Sequence, residues 1–113
     1  MENFYDASNI KHLRRLRELK PELLKGFLQW SKDIFKDGAL SAKTKQLMAV
    51  VAAHITQCPW CIEDHTRRAK QHGATEEELA EAVFVAMVMR AGAAFSHGCI
   101  ALGVYEEDTQ PQK

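Results

Sequence analysis

The chain has 113 residues, 46% hydrophobic and 27% charged, which is enough apolar content for one packed domain and excludes a disordered segment. Fifteen Lys and Arg residues balance fifteen Asp and Glu, which argues against a dedicated binder of nucleic acid or of an anionic membrane. Three cysteines, an odd number, do not make a secreted disulfide scaffold.

The start, Met1 to Asp6, lacks the basic and apolar regions of an export signal. The longest stretch free of formal charge outside the histidines, Gln46 to Ile62, is short and too polar for a membrane span. These features predict a soluble cytoplasmic protein whose thiols stay reduced unless chemistry oxidises them. No linker, repeat or low-complexity tract appears, so residues 1–113 read as one domain with its core over about 10–102 and a polar, frayed tail over 106–113.

In chain order, Ile10, Leu13, Leu16 and Leu19 form one apolar stripe of a first helix. Lys11, Arg14, Arg15, Arg17 and Lys20 make its other face a solvated one. Pro21 suits the first position of a second helix, which the spacing of Leu23, Leu24, Phe27, Leu28, Ser31, Ile34 and Phe35 continues, with Gly38 as its left-handed stop. Ser41 is the expected N-cap of a third helix whose face carries Leu47, Val50, Val51 and His54. Ala49, Ala52 and Ala53 on that helix allow a neighbour to approach closely.

Cys58 then takes an N-cap position and Pro59 the first turn of a fourth helix, which runs to about Gln71 and ends at His72-Gly73. Thr75 and Glu78 form a capping box for a fifth helix through Leu79, Ala82, Val83, Ala86 and Met89. Apolar residues wrap most of the way round from Val83 to Met89, which predicts a central helix, and Met48, Met87 and Met89 read as core. Gly92, Ala93 and Ala94 predict tight helix packing with a break, and Gly98 to Tyr105 either continues the helix or closes the domain. No useful strand pattern appears, so the expected fold is all-α with about five to six helices. So much apolar helix on so short a chain also predicts an oligomer.

The chemistry concentrates in Cys58-Pro59-Trp60-Cys61-Ile62-Glu63-Asp64-His65. Two cysteines three apart at a helix start can join, and the free amides and dipole there favour a thiolate. His65 follows Cys61 by four residues, one turn along the same face, where it can move a proton to or from the thiol. The same residues also read as part of a zinc site, with His54, His97 or Cys99 as a fourth ligand, or as an inert buried pair. No second close ligand pair supports zinc. Glu63 and Asp64 point to the outer face as solvated charges, and His54 reads first as a satisfied core histidine that can also face the site. Trp60 shields the pair, lines a substrate path or packs at an interface. His97 and Cys99 read as packing or a subunit contact, and Cys99 as the odd thiol.

The run from Leu40 to His65, with C-x-x-C-x-x-x-H at its end, resembles the AhpD-like alkylhydroperoxidase branch of the carboxymuconolactone decarboxylase superfamily. Ala69, Gly73-Ala74-Thr75, Glu78-Leu79, Glu81-Ala82 and Pro21-Glu22-Leu23 extend the likeness over about residues 10–102. The resemblance implies an all-helical trimer or hexamer that reduces organic hydroperoxides without metal or organic cofactor. By it, Cys61 attacks the peroxide, Cys58 relays a proton and resolves the sulfenic acid, and His65 is the relay histidine. A lipoyl or thioredoxin-like dithiol protein would return the electrons.

The family's relay glutamate falls on Gln46 here, and an amide can hydrogen-bond but cannot take a proton. Either His65 works alone, another group substitutes, or turnover is slow. A non-catalytic redox sensor or oligomeric binding module is the alternative that Gln46 favours. A lactone decarboxylase is a further alternative, which the C-x-x-C pair argues against.

Overall fold

The computed structural model of the chain describes residues 6–108. Met1 to Tyr5, on which the export reading partly rests, and the tail beyond residue 108 lie outside them. A short 3-10 turn, Ala7–Lys11, leads into α1 (His12–Leu19), α2 (Pro21–Ile34), α3 (Ala42–Thr56), α4 (Pro59–Gln71) and α5 (Glu76–Asp108). The fold is all-α, and no strand occurs among the described residues.

Local chemistry sets most of the helix ends. Ser41 accepts from the Thr44 amide at the start of α3. Thr75 Oγ1 accepts from the Glu78 amide at 3.1 Å while Glu78 Oε1 accepts from the Thr75 amide at 2.9 Å, a reciprocal capping box. The other Glu78 oxygen takes Lys43 Nζ at 2.8 Å, which ties the start of α5 to α3. That lysine, followed by the Thr75 amide, holds the Glu78 carboxyl below its ordinary range.

At the end of α4, the Gly73 amide donates to the Lys70 carbonyl and the Ala74 amide to the Ala69 carbonyl, a Schellman stop. It needs Gly73 at φ +89°. A Cβ there would meet nothing within 4 Å. Gly73→Ala should therefore lose about 1 kcal/mol through backbone strain alone, read as a shifted denaturant midpoint at unchanged slope.

Two helix ends depart from expectation. α2 stops at Ile34, with Phe35 as C-cap at φ −84°, and Gly38 is not left-handed. The reason is tertiary. Lys45 Nζ, from α3, donates to the carbonyls of Ile34 and Lys36 at 2.7 and 2.6 Å, and Asp37 Oδ1 accepts from the Ala42 amide at 2.7 Å. α5 runs unbroken through Gly92 to Asp108, so Glu106 to Asp108 are helix rather than tail. An interior glycine weakens a helix by only about 1 kcal/mol relative to alanine, too little to break it among good helix formers. A Cβ at Gly92 would meet nothing within 4 Å, so no tight contact within the protomer requires that glycine.

The core is built from small residues where α3 packs on α4 and α5: Ala42, Val50, Ala53, Ala69, Ala82 and Ala86, with the polar Gln46 among them. The buried stripe of α3 is Ala42, Gln46, Val50 and Ala53; Val50 of the expected face is fully buried, whereas Leu47, Val51 and His54 are only half-buried. α5 is not central within the chain. Val83 to Met89 keep large exposed surfaces apart from Ala86, and Met48, Met87 and Met89 are each more than half exposed rather than core. By length and composition α5 could cross a membrane, a feature hidden in the sequence because Arg90 divides its apolar run. Arg90 instead donates to the Ile55 carbonyl at 3.0 Å, a second tie to α3.

The radius of gyration is 19.9 Å; a compact chain of this length has about 13 Å. The accessible surface is 9577 Å²; about 6300 Å² is usual for this mass. The chain is therefore more extended than a compact domain of its size, and large apolar side chains from Ile10 to Tyr105 stay exposed.

Candidate functional site

Only Gln57 and Cys58 separate α3 from α4. Gln57 adopts the left-handed conformation, φ 58°, and the Cys58 amide reaches back to the Ala53 carbonyl at 3.1 Å. This turn places Cys58 as the N-cap of α4, with Pro59 in the first helical position, where its missing N–H removes no bond. Cys58 Sγ accepts from the Cys61 amide at 3.3 Å. The two sulfurs are joined as a disulfide, with Cα atoms 5.3 Å apart. An amide aimed at sulfur on the positive end of a helix favours negative charge on that sulfur.

His65 sits one turn beyond Cys61 and is half-buried. Its Nδ1 lies 2.7 Å from Gln46 Oε1 on α3. Gln46 is 2% exposed, the one polar side chain buried among the described residues. A carbonyl oxygen only accepts, so Nδ1 carries the hydrogen and Nε2 keeps the lone pair. Phe35, the C-cap of α2, stacks on the imidazole with ring centres 5.2 Å apart and planes 26° apart. Burial lowers the His65 pKa below its ordinary 6.5; Asp64 opposes the shift and Arg68 adds to it.

A neutral His65 at pH 7 follows, and it is measurable. An NMR titration should place its midpoint below 6.5, with the Nδ1–H tautomer at neutral pH. The unfolded chain binds this proton more readily, so stability should rise with pH from the folded midpoint to 6.5 and be lost as pH falls through that window. A midpoint above 6.5 would contradict the geometry.

The structure joins Cys58 to Cys61 and His65 to Gln46, with His65 one turn along α4 from Cys61. His54 is not joined to them. Its Nδ1 bonds the Val50 carbonyl of its own helix at 2.8 Å. Trp60 is half-buried in the first turn of α4. Glu63 and Asp64 face outward and pair with Arg67 and Arg68 at 2.9 and 3.1 Å. His97 and the free Cys99 are exposed on α5. Among the described residues no three His, Cys, Asp or Glu side chains gather as a metal site. In the sequence Phe35 belongs only to the apolar stripe of the second helix, because its contact with His65 spans two helices and leaves no local pattern.

Residues 21–103 match the Carboxymuconolactone decarboxylase family. An uncharacterised protein of the cox locus of Paracoccus denitrificans is 57% identical over 81 residues, 72% of this chain and 73% of its own length. Among solved structures, a carboxymuconolactone decarboxylase family protein from Legionella pneumophila is 36% identical with a TM-score of 0.69, over 91% of this chain and 92% of its own. A family member from Thermotoga maritima, for which a part in an antioxidative response has been suggested, is 36% identical with a TM-score of 0.57, over 74% and 87%.

Proposed function

The chain belongs to the carboxymuconolactone decarboxylase family, and on that premise we propose that it is a thiol-dependent peroxidase that reduces organic hydroperoxides through a Cys58–Cys61 dithiol/disulfide cycle. The observation that carries this reading is the joined cysteine pair at the start of α4, with His65 one turn along the same face.

In the reduced state, His65 takes the Cys61 thiol proton on its bare Nε2. The Cys61 thiolate attacks the terminal peroxide oxygen and the O–O bond breaks. Cys61 becomes the sulfenic acid, and the proton leaves with the alcohol. Cys58 then displaces water from that sulfenic acid, forming the disulfide. An external dithiol, of the lipoyl or thioredoxin-like kind, attacks the Cys61 sulfur. Cys58 leaves as a thiolate that the Cys61 amide stabilises. The reductant ends as a disulfide and both cysteines as thiols, so no metal or organic cofactor is required. This cycle suits a reducing compartment such as the cytoplasm.

Gln46 favours a second reading, a redox sensor that oxidises once and turns over poorly, because its amide cannot accept the proton that His65 carries. We also infer that copies of this chain cover the apolar surface of α5 in a homotrimer or homohexamer. The excess accessible area supports that assembly.

The reading is tested by adding one equivalent of an organic hydroperoxide to the reduced protein, followed by mass spectrometry and peptide mapping. A loss of about 2 Da on a Cys58–Cys61 peptide is expected. An unchanged mass with both thiols still alkylatable would overturn it. Repeated oxidation and reduction with a dithiol separates peroxidase from sensor.

A further inference from the structure

A cleft of about 570 Å³ lies between the C-terminal part of α2 and the α3–α4 pair. That is the size of a small-molecule site. Its wall is partly apolar, with Leu28, Phe35 and Ala42, and its edge carries Lys32, Lys36 and Arg68 against the single carboxylate of Asp37. Asp37 is already engaged by the Ala42 amide. Lys36 and Arg68 meet Asp33 and Asp64 in exposed pairs, which contribute little and can exchange partners. Arg68 gives only its Nε to Asp64, so the rest of its planar donor fork remains for an anion.

Two lining residues touch the imidazole described above. Gln46 holds His65 Nδ1 and Phe35 stacks on its ring. The helical repeat extends the relation. Cys61, His65, Arg68 and His72 follow one another at four, three and four residues, a single stripe of α4. Arg68 stands about 10 Å along the axis from Cys61. The dithiol and the cationic edge are two ends of one helix face.

We propose that this cleft binds a small amphipathic carboxylate, its apolar body against Phe35, Leu28 and Ala42 and its head group on Arg68 with Lys32 and Lys36. An apolar wall alone would take a neutral molecule, and a cation cluster alone would take any anion. The combination selects a ligand with both parts. Its occupant leans on the two residues that orient His65. The site stands whether or not the cysteines turn over peroxide, since binding requires neither sulfur.

Calorimetric titration of the full chain with octanoate, octanol and inorganic phosphate tests it. Octanoate should bind at least tenfold more tightly than either of the others. NMR should show the Phe35 ring and Gln46 amide signals moving with it. Arg68→Gln should weaken octanoate at least tenfold and leave octanol unchanged; Lys32→Gln, also on the exposed edge, should act the same way more weakly. Equal binding of octanol, equal binding of phosphate, no octanoate binding, or an unchanged affinity in Arg68→Gln with native circular dichroism would each overturn the proposal.

Discussion

Cys61→Ser should lower hydroperoxide turnover by on the order of a thousandfold or more, because the hydroxyl is not ionised near neutral pH and is a poor nucleophile towards peroxide oxygen. Cys58→Ser should behave differently. It keeps a nucleophile and loses the resolving thiol, so one equivalent of peroxide is consumed and Cys61 stops at the sulfenic acid, which a diketone probe captures. Neither loss should come from unfolding. Serine is a favoured N-cap, so the hydroxyl introduced by Cys58→Ser would still satisfy the Cys61 amide, and both cysteines are only half-buried. Full turnover in Cys61→Ser, assayed with a dithiol reductant, would remove the peroxidase reading altogether.

Gln46→Glu should change the site in the other direction. The side chain keeps its shape and its place 2.7 Å from His65 Nδ1. A carboxylate there favours the imidazolium, so the His65 midpoint should rise by about 1–3 pH units. It also gives the imidazole a proton acceptor, and peroxide turnover should increase about tenfold, less than the roughly hundredfold or more of a group that transfers the proton directly. Gln46→Leu separates the hydrogen bond from the charge. It leaves the half-buried His65 N–H without its partner, which should lower stability by about 1 kcal/mol. It also frees the tautomer, so turnover should fall. A raised midpoint in Gln46→Glu without faster turnover would show that the missing carboxylate is not what limits the chemistry.

The helix starts and the stop at Gly73 are readable because their causes lie within a few residues. Ser41 with Thr44, Cys58 with Pro59 and Cys61, and Thr75 with Glu78 are partners inside one turn. The end of α2 is not readable, since Lys45 of another helix collects its carbonyls. The same distinction governs the site. The cysteines and His65 announce themselves by spacing. Gln46 enters through the resemblance, and its bond to His65 requires the packing of α3 on α4. Phe35 belongs to an ordinary apolar stripe until the fold lays it on the imidazole. The apolar wrap of α5 points to a helix in the middle of its domain, yet the chain leaves that wrap exposed, because periodicity does not say what covers an apolar face.

The two-residue connection between α3 and α4 has a consequence for how the protein lives with oxidation. The cross-link spans a sequence separation of only 3, inside a turn that the Gln57 backbone, Pro59 and the helix amides already fix. A ring so small restricts the unfolded chain less than a long-range bridge would, and little of the fold leans on it. Opening and closing the bond is then a matter of side-chain rotation on a standing scaffold. Reducing the bond should therefore leave the core as resistant to proteolysis as it is in the joined state, unlike the loss of a structural disulfide between distant segments.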